Sequence, residues 1–353
     1  MSVGAVSGLV QNGLLAQLVA DSTATQTQLD KLTQQSASGQ VADTYGGLGD
    51  AAPVSIDLRP QMAQVQAWQQ SVSAANGTLA TTQSVLGQLE SIATSFGSQA
   101  LGVSMSSASG AAALAVQAKA ALQQVVTLLN TQTSGQYVFA GTDSTNPPID
   151  SSALDSFANT ASGQVSALGS GAAPATVLTA VVTLAGKAGF AYPGSSAAGA
   201  TPAALRAQTG DGQSVPMAFV AGRNSFATQA GSPTTGSYVR DLVAGLAGLA
   251  ALTSSTASNS TLQSFGAAVS QLLQGAGTAI ATEQAGFGQV QSELTTQGTA
   301  LSDTLTSLTT QVSGAENVDM AATATALSQV QTQLQASFQL IAGLKQLTLT
   351  AYL

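Results

Sequence analysis

All nine prolines of this 353-residue chain lie between Pro53 and Pro233, and none falls between residues 61 and 146. Proline inside a helix removes a backbone hydrogen bond and clashes with the preceding turn. The stretches 1–52, 61–146 and 234–353 are therefore the places where long helices can form, and the middle must be built differently.

The proline-free stretches carry helical spacing. Within 61–98, Val65, Val72, Leu79, Leu86 and Ala93 recur every seven residues, with Trp68, Ala75, Thr82, Leu89 and Phe96 three residues on. That period marks a helix packed lengthwise on another long helix. Phe287, Leu294, Leu301 and Leu308, with Val290, supply the expected partner. A third helical segment, Leu114 to Leu129, follows a Gly/Ser break at 97–110 and is expected to fold back on the first. At the ends, Val3, Val6, Val10, Leu14 and Leu18 step by three or four, as do Leu327, Val330, Leu334, Phe338 and Ile341. Both ends read as amphipathic helices whose apolar stripes need a cover, either from the same chain or from neighbouring chains.

The middle, about 147–233, alternates short β-prone runs (ATVLTAVVTL, SVPMAFVAG) with turn signals such as Asn146-Pro147-Pro148 and Gly210-Asp211-Gly212. It reads as a small β-rich insertion. The fold class expected is mainly α, a long antiparallel helical bundle or coiled coil formed by the N- and C-terminal segments, with a small β-rich inserted outer domain.

Composition removes most catalytic chemistry. There is no cysteine and no histidine, so thiolate nucleophiles, sulfur-ligated metals, the usual neutral-pH base and the commonest zinc ligand are all missing. Glu90, Glu283, Glu293 and Glu316 lie singly along helices, where a solvated face is the expected use. LAGKAG, 184–189, has a Gly-Lys pair but lacks the rest of a phosphate loop and reads as a turn. No catalytic, cofactor-binding or metal-binding residue is assigned, and no enzyme is expected. Sixteen acids against eight scattered bases exclude a nucleic-acid groove. Only 7% of residues are charged, so Ser, Thr, Gln and Asn must cover the solvent faces. The N-terminus has no Lys or Arg before Lys31, against a cleaved signal peptide, and the windows 242–252 and 177–186 are too short for membrane insertion.

Four segments carry a resemblance: LDKLTQQSASGQVADTYGGLGD (29–50), SGQYVFAGTDSTNPP (134–148), EQAGFGQVQSEL (283–294) and AENVDMAATATALSQVQTQLQASFQLIAGLKQLTLTAYL (315–353). In this order they are similar to segments of the bacterial flagellar axial proteins related to flagellin. GQYVFAG resembles the branch that joins hook to filament, and LTLTAYL differs from the Leu-Leu-Arg-like tail frequent in flagellins. Many relatives carry paired Asp before a proline where this chain has Gly49-Asp50-Ala51-Ala52-Pro53.

The resemblance implies a structural adaptor between the hook-associated region and the flagellin filament, with the filament subunit itself and an adhesin-like surface protein as alternatives. It implies an N-terminal inner-tube helix (1–40), the two halves of a helical core domain (41–145 and 236–312), a β-rich variable outer domain (146–235) and a C-terminal inner-tube helix (313–353). Val3, Val6, Val10, Leu14 and Leu18 would face Leu327, Val330, Leu334, Phe338 and Ile341 in an assembly interface. Those helices would be flexible before assembly. Tyr137, Phe139 and Gly141 would form the junction to the outer domain. The implied partners are copies of itself in a ring or helical layer, flagellin, the first hook-associated protein and a flagellar export chaperone. The implied location is the extracellular flagellum, reached without a cleaved signal peptide.

Overall fold

The computed structural model describes residues 3–102, 106–187, 203–228, 232–254 and 256–350. Its helices are α1 (Val3–Ser38), α2 (Ala52–Leu101), α3 (Ala108–Leu129), α4 (Ser151–Ser166), α5 (Pro174–Lys187), α6 (Tyr238–Ala250), α7 (Asn259–Glu316) and α8 (Met320–Thr350). Two short antiparallel hairpins complete it: β1 (Gln132–Thr133) with β2 (Gln136–Tyr137), and β3 (Leu205–Gly210) with β4 (Gln213–Ala218). The chain is mainly α, as its proline-free stretches require. It divides into two compact units, one of residues 1–66 and 303–353, the other of residues 67–302.

In the larger unit α2 and α7 run antiparallel. Close approaches of Gly97 to Leu273, Gly277 to Ala93, Gly288 to Gln83 and Gly298 to Val72 hold one register along the pair. The heptad residues Val72, Leu79, Leu86 and Ala93 are buried, as are Ala75, Thr82, Leu89 and Phe96, and so are Phe287 and Leu294 on α7. Thr82 belongs in that seam because its hydroxyl donates to the Thr78 carbonyl at 2.9 Å. Gln284 donates to Glu90 across the pair at 2.7 Å.

α6 occupies the centre of this unit. Nearly every residue from Tyr238 to Leu249 is buried, which is where a short helix apolar on all sides must lie. Its glycines admit neighbours: a Cβ on Gly245 would meet Leu273 Cδ2 at 2.6 Å, and one on Gly248 would meet Phe265 Cζ at 3.3 Å. α3, α4 and α5 all pack along α6. Among the described residues α3 is the one helix long and apolar enough to cross a membrane, and here one face of it, with Leu114, Ala118, Leu122 and Val125, is buried in the core while Val116 is exposed.

The insertion carries the larger hairpin together with α4 and α5. SVPMAFVAG enters β4, but ATVLTAVVTL, expected as a strand, is the body of α5. Pro174 takes the first position of that helix, where its missing N–H costs nothing, and Val177, Leu178, Val181, Val182 and Ala185 make one buried face. Residues 184–187 of the expected LAGKAG turn are the last turn of α5, and residues 188 and 189 lie outside the described residues. Arg240 on α6 closes that helix end, donating to the carbonyls of Ala185 at 2.7 Å and Gly186 at 3.1 Å.

Helix α2 begins earlier than its proline content suggests. Pro53 lies in the first turn, where it is tolerated, and Pro60 sits inside the helix. The carbonyl that Pro60 leaves without an intrahelical donor belongs to exposed Ile56, within reach of water.

Candidate assembly surface

The smaller unit contains both terminal helices, α1 and α8, packed on each other. On α1 the inward residues are Leu18, Ser22, Thr25, Leu29 and Leu32; on α8 they are Thr323, Leu327, Val330, Leu334, Ser337 and Ile341. Steps of four and three on both helices make a two-stranded coiled-coil seam. Its most buried members are Ser22, Thr25, Thr323 and Val330, so three of the four are hydroxyl residues. Thr25 and Thr323 satisfy their hydroxyls on the carbonyls of Asp21 at 2.7 Å and Asp319 at 2.8 Å. Sequence reading missed these positions because it assigned Ser and Thr to solvent. The signal that reveals them is the four-three step running through the apolar residues.

Of the stripe residues named from sequence, Leu18, Leu327, Val330, Leu334 and Ile341 lie on this seam. Phe338 does not: it is 52% exposed, beside Leu340 at 61%. The backbone of Val3, Val6, Val10 and Leu14 is in α1, but their side chains lie outside the described residues.

Both terminal helices break at one level. α1 ends at Ser38, and Gly39 takes φ +71° while its N–H returns to the Gln35 carbonyl at 2.9 Å, the left-handed cap for which glycine is suited. The connector then pairs with the break between α7 and α8: Val41 N–H donates to the Glu316 carbonyl at 2.7 Å, and Val318 N–H donates to the Gly39 carbonyl at 3.0 Å. Asp319 restarts the chain by capping α8, accepting from Ala321 N–H at 2.8 Å and Ala322 N–H at 3.1 Å.

Glu316 fixes this level with its side chain as well. It forms a two-pronged ion pair with Arg59, at 2.7 Å to Nε and 2.6 Å to Nη2, and accepts from the Ser55 hydroxyl. Hydrogen bonds from Arg59 and then Ser55 hold the Glu316 carboxyl below the usual carboxylate range. A cleft of about 230 Å³ opens beside it, lined by Gln40, Asp43, Tyr45, Leu48 and Arg59 among others. Glu316 is therefore no solvated-face glutamate.

Glu283 corrects the same expectation more strongly. It is fully buried, and one carboxylate oxygen accepts three successive backbone N–H groups, from Ser225 at 2.6 Å, Phe226 at 2.8 Å and Ala227 at 2.9 Å. This nest pins the loop after the β3–β4 hairpin and sets Phe226 edge-on to Phe287, with ring centres 5.2 Å apart. Asn224 ties the loop further, to the Ala227 and Gly236 carbonyls and the Tyr238 N–H.

The aromatic segment at 137–141 is a short exchange of backbone hydrogen bonds. Tyr137 closes the small β1–β2 hairpin and is half-buried. Phe139 is buried, and its carbonyl accepts from Ala221 N–H at 2.9 Å. Gly141 donates to the Phe219 carbonyl at 3.1 Å with φ +58°, and a Cβ there would stand 2.5 Å from the Ala203 carbonyl oxygen. Only glycine fits that corner.

Among the described residues no group of three or more acidic side chains could hold a metal ion. What the chain does display is a pair of terminal helices with apolar residues left over. Residues 270–353 match the bacterial flagellin C-terminal helical region. The matched segment takes in most of α7 and all of α8, the helices that supply Glu283, Glu316 and one side of the terminal seam. The likeness is to a helical region and is confined to this C-terminal part of the chain. No curated protein matches the chain.

Proposed function

We propose that the chain is a structural adaptor of the bacterial flagellum, the hook–filament junction protein known as hook-associated protein 3, joining the hook-associated region to the flagellin filament without catalysis. The observation that carries this reading is the pairing of α1 with α8, the last helix of the flagellin-like C-terminal region. GQYVFAG at the entrance to the insertion favours the junction protein over the filament subunit.

In this reading Val3, Val6, Val10 and Leu14, with exposed Phe338, pack against neighbouring copies, while Leu18, Leu327, Val330, Leu334 and Ile341 hold the pair together. A stripe with few charges buries well against copies of itself, since no ion has to be desolvated. The helices at 1–40 and 313–353 form the inner tube, 41–145 and 236–312 the core domain, and 146–235 the outer domain hung on Tyr137, Phe139 and Gly141. Partners are further copies of this chain, flagellin, the first hook-associated protein and an export chaperone holding the C-terminal region.

Deletion of the gene tests the reading. Hooks without filaments, with unpolymerised flagellin in the medium, are the expected result. Filaments that still grow on the hooks overturn it. The second reading, the filament subunit, has its support in the flagellin match itself. Under it the deletion removes the filament material and leaves no flagellin in the medium, and the purified chain polymerises alone into long filaments.

A further inference from the structure

We propose that Glu316 is a charge-operated latch on the terminal helix pair: ionised, it fastens the start of α2 and the N-terminal connector to the end of α7, and neutral, it releases the connector. The geometry places three attachments on this one residue. Its backbone carbonyl accepts from Val41, its carboxylate takes both prongs of Arg59, and the same carboxylate accepts from Ser55, which is itself fully buried. The Glu316 side chain is only 12% exposed, so water replaces few of these contacts, whereas Arg59 is 52% exposed and reaches inward to make its pair. As the last residue of α7, Glu316 lacks helix backbone beyond it, and the side-chain contacts are what hold its carbonyl in place for Val41.

The titratable groups around the latch are Arg59 on α2, Asp43 and Tyr45 of the connector, which line the same cleft, and Asp319, occupied in capping α8. Asp43 is held by Gln34 of α1. Arg59 is thus the one cation facing the carboxylate among the described residues. Because the folded Glu316 carboxyl lies below its ordinary value of 4.5, its contribution is complete above about that pH and is lost as pH falls through the folded value. The latch is shut at neutral pH and opens in acid.

The test uses the full-length chain with Glu316→Gln, which keeps the shape and removes the charge. At pH 7 the amides of Val41 and Val318 should exchange at least about tenfold faster than in the parent chain, while those of α6 keep their protection. Unchanged exchange at Val41 and Val318 overturns the proposal. Since the chain has no cysteine, a single nitroxide at Gln40→Cys reports on the connector. Its mobility should rise below about pH 4.5 in the parent chain and be high and pH-independent in the Glu316→Gln background. An acid step that survives Glu316→Gln, or that vanishes with Asp43→Asn instead, overturns the assignment to Glu316.

Discussion

Single side chains in this fold are tied to distant backbone more than to each other. Glu283→Ala strips three N–H groups of their acceptor, that of Ala227 buried and those of Ser225 and Phe226 part-buried, and chemical denaturation should show a loss of about 3 kcal/mol. Glu283→Gln keeps an acceptor oxygen for the nest and should cost clearly less. Asp150 caps α4 through the Ser152 hydroxyl at 2.7 Å and N–H at 2.9 Å, with Ala153 behind them, and these bonds hold its carboxyl below the usual 3.8. Asp150→Ala should cost about 1 kcal/mol at pH 7. The difference from the parent should fade as pH falls through the folded Asp150 value, since the contribution exists only while the carboxylate is ionised. Neither role is legible in the sequence. Glu283 and the loop it holds are more than fifty residues apart, and a lone glutamate on a helix carries no mark of what will fold over it. Nor does the sequence show why residue 141 must be glycine: the carbonyl 2.5 Å from where its Cβ would stand belongs to residue 203.

At the scale of elements, periodicity was the dependable guide. The seven-residue spacing in α2 placed Val72, Leu79, Leu86 and Ala93 in the core because a long helix packed lengthwise offers no other use for that stripe. Local β-branching misled at α5: the i, i+1, i+4, i+5, i+8 pattern from Val177 to Ala185 outweighs strand propensity once a proline starts the helix and a core accepts its face. The α1–α8 seam is weakened by its hydroxyl residues. Replacing Thr25 and Thr323 together by Val should raise amide protection along both helices by about 1 kcal/mol or more, read by hydrogen exchange. Unchanged or reduced protection would show that the hydroxyls are not what limits the pairing.

On the whole-molecule scale the two units differ in what holds them. The unit of residues 67–302 has a broad apolar core, whereas among the described residues of the other the buried apolar ones that are larger than alanine are few: Leu48, Val65, Leu308, Val312 and Val330. Urea should therefore unfold the chain in two steps, the terminal unit first. Trp68, the single tryptophan, belongs to the larger unit, so its fluorescence should change only after part of the far-UV signal is lost. Coincident transitions would mean one cooperative block. The sequence showed helical ends with apolar stripes that need a cover; it could not show that their breaks meet. The two rungs between those breaks, Val41 to Glu316 and Val318 to Gly39, have a mechanical meaning. Sliding one terminal helix along the other by a single residue rise, about 1.5 Å, would stretch both bonds together. Axial load on the pair is thus borne in shear at this level.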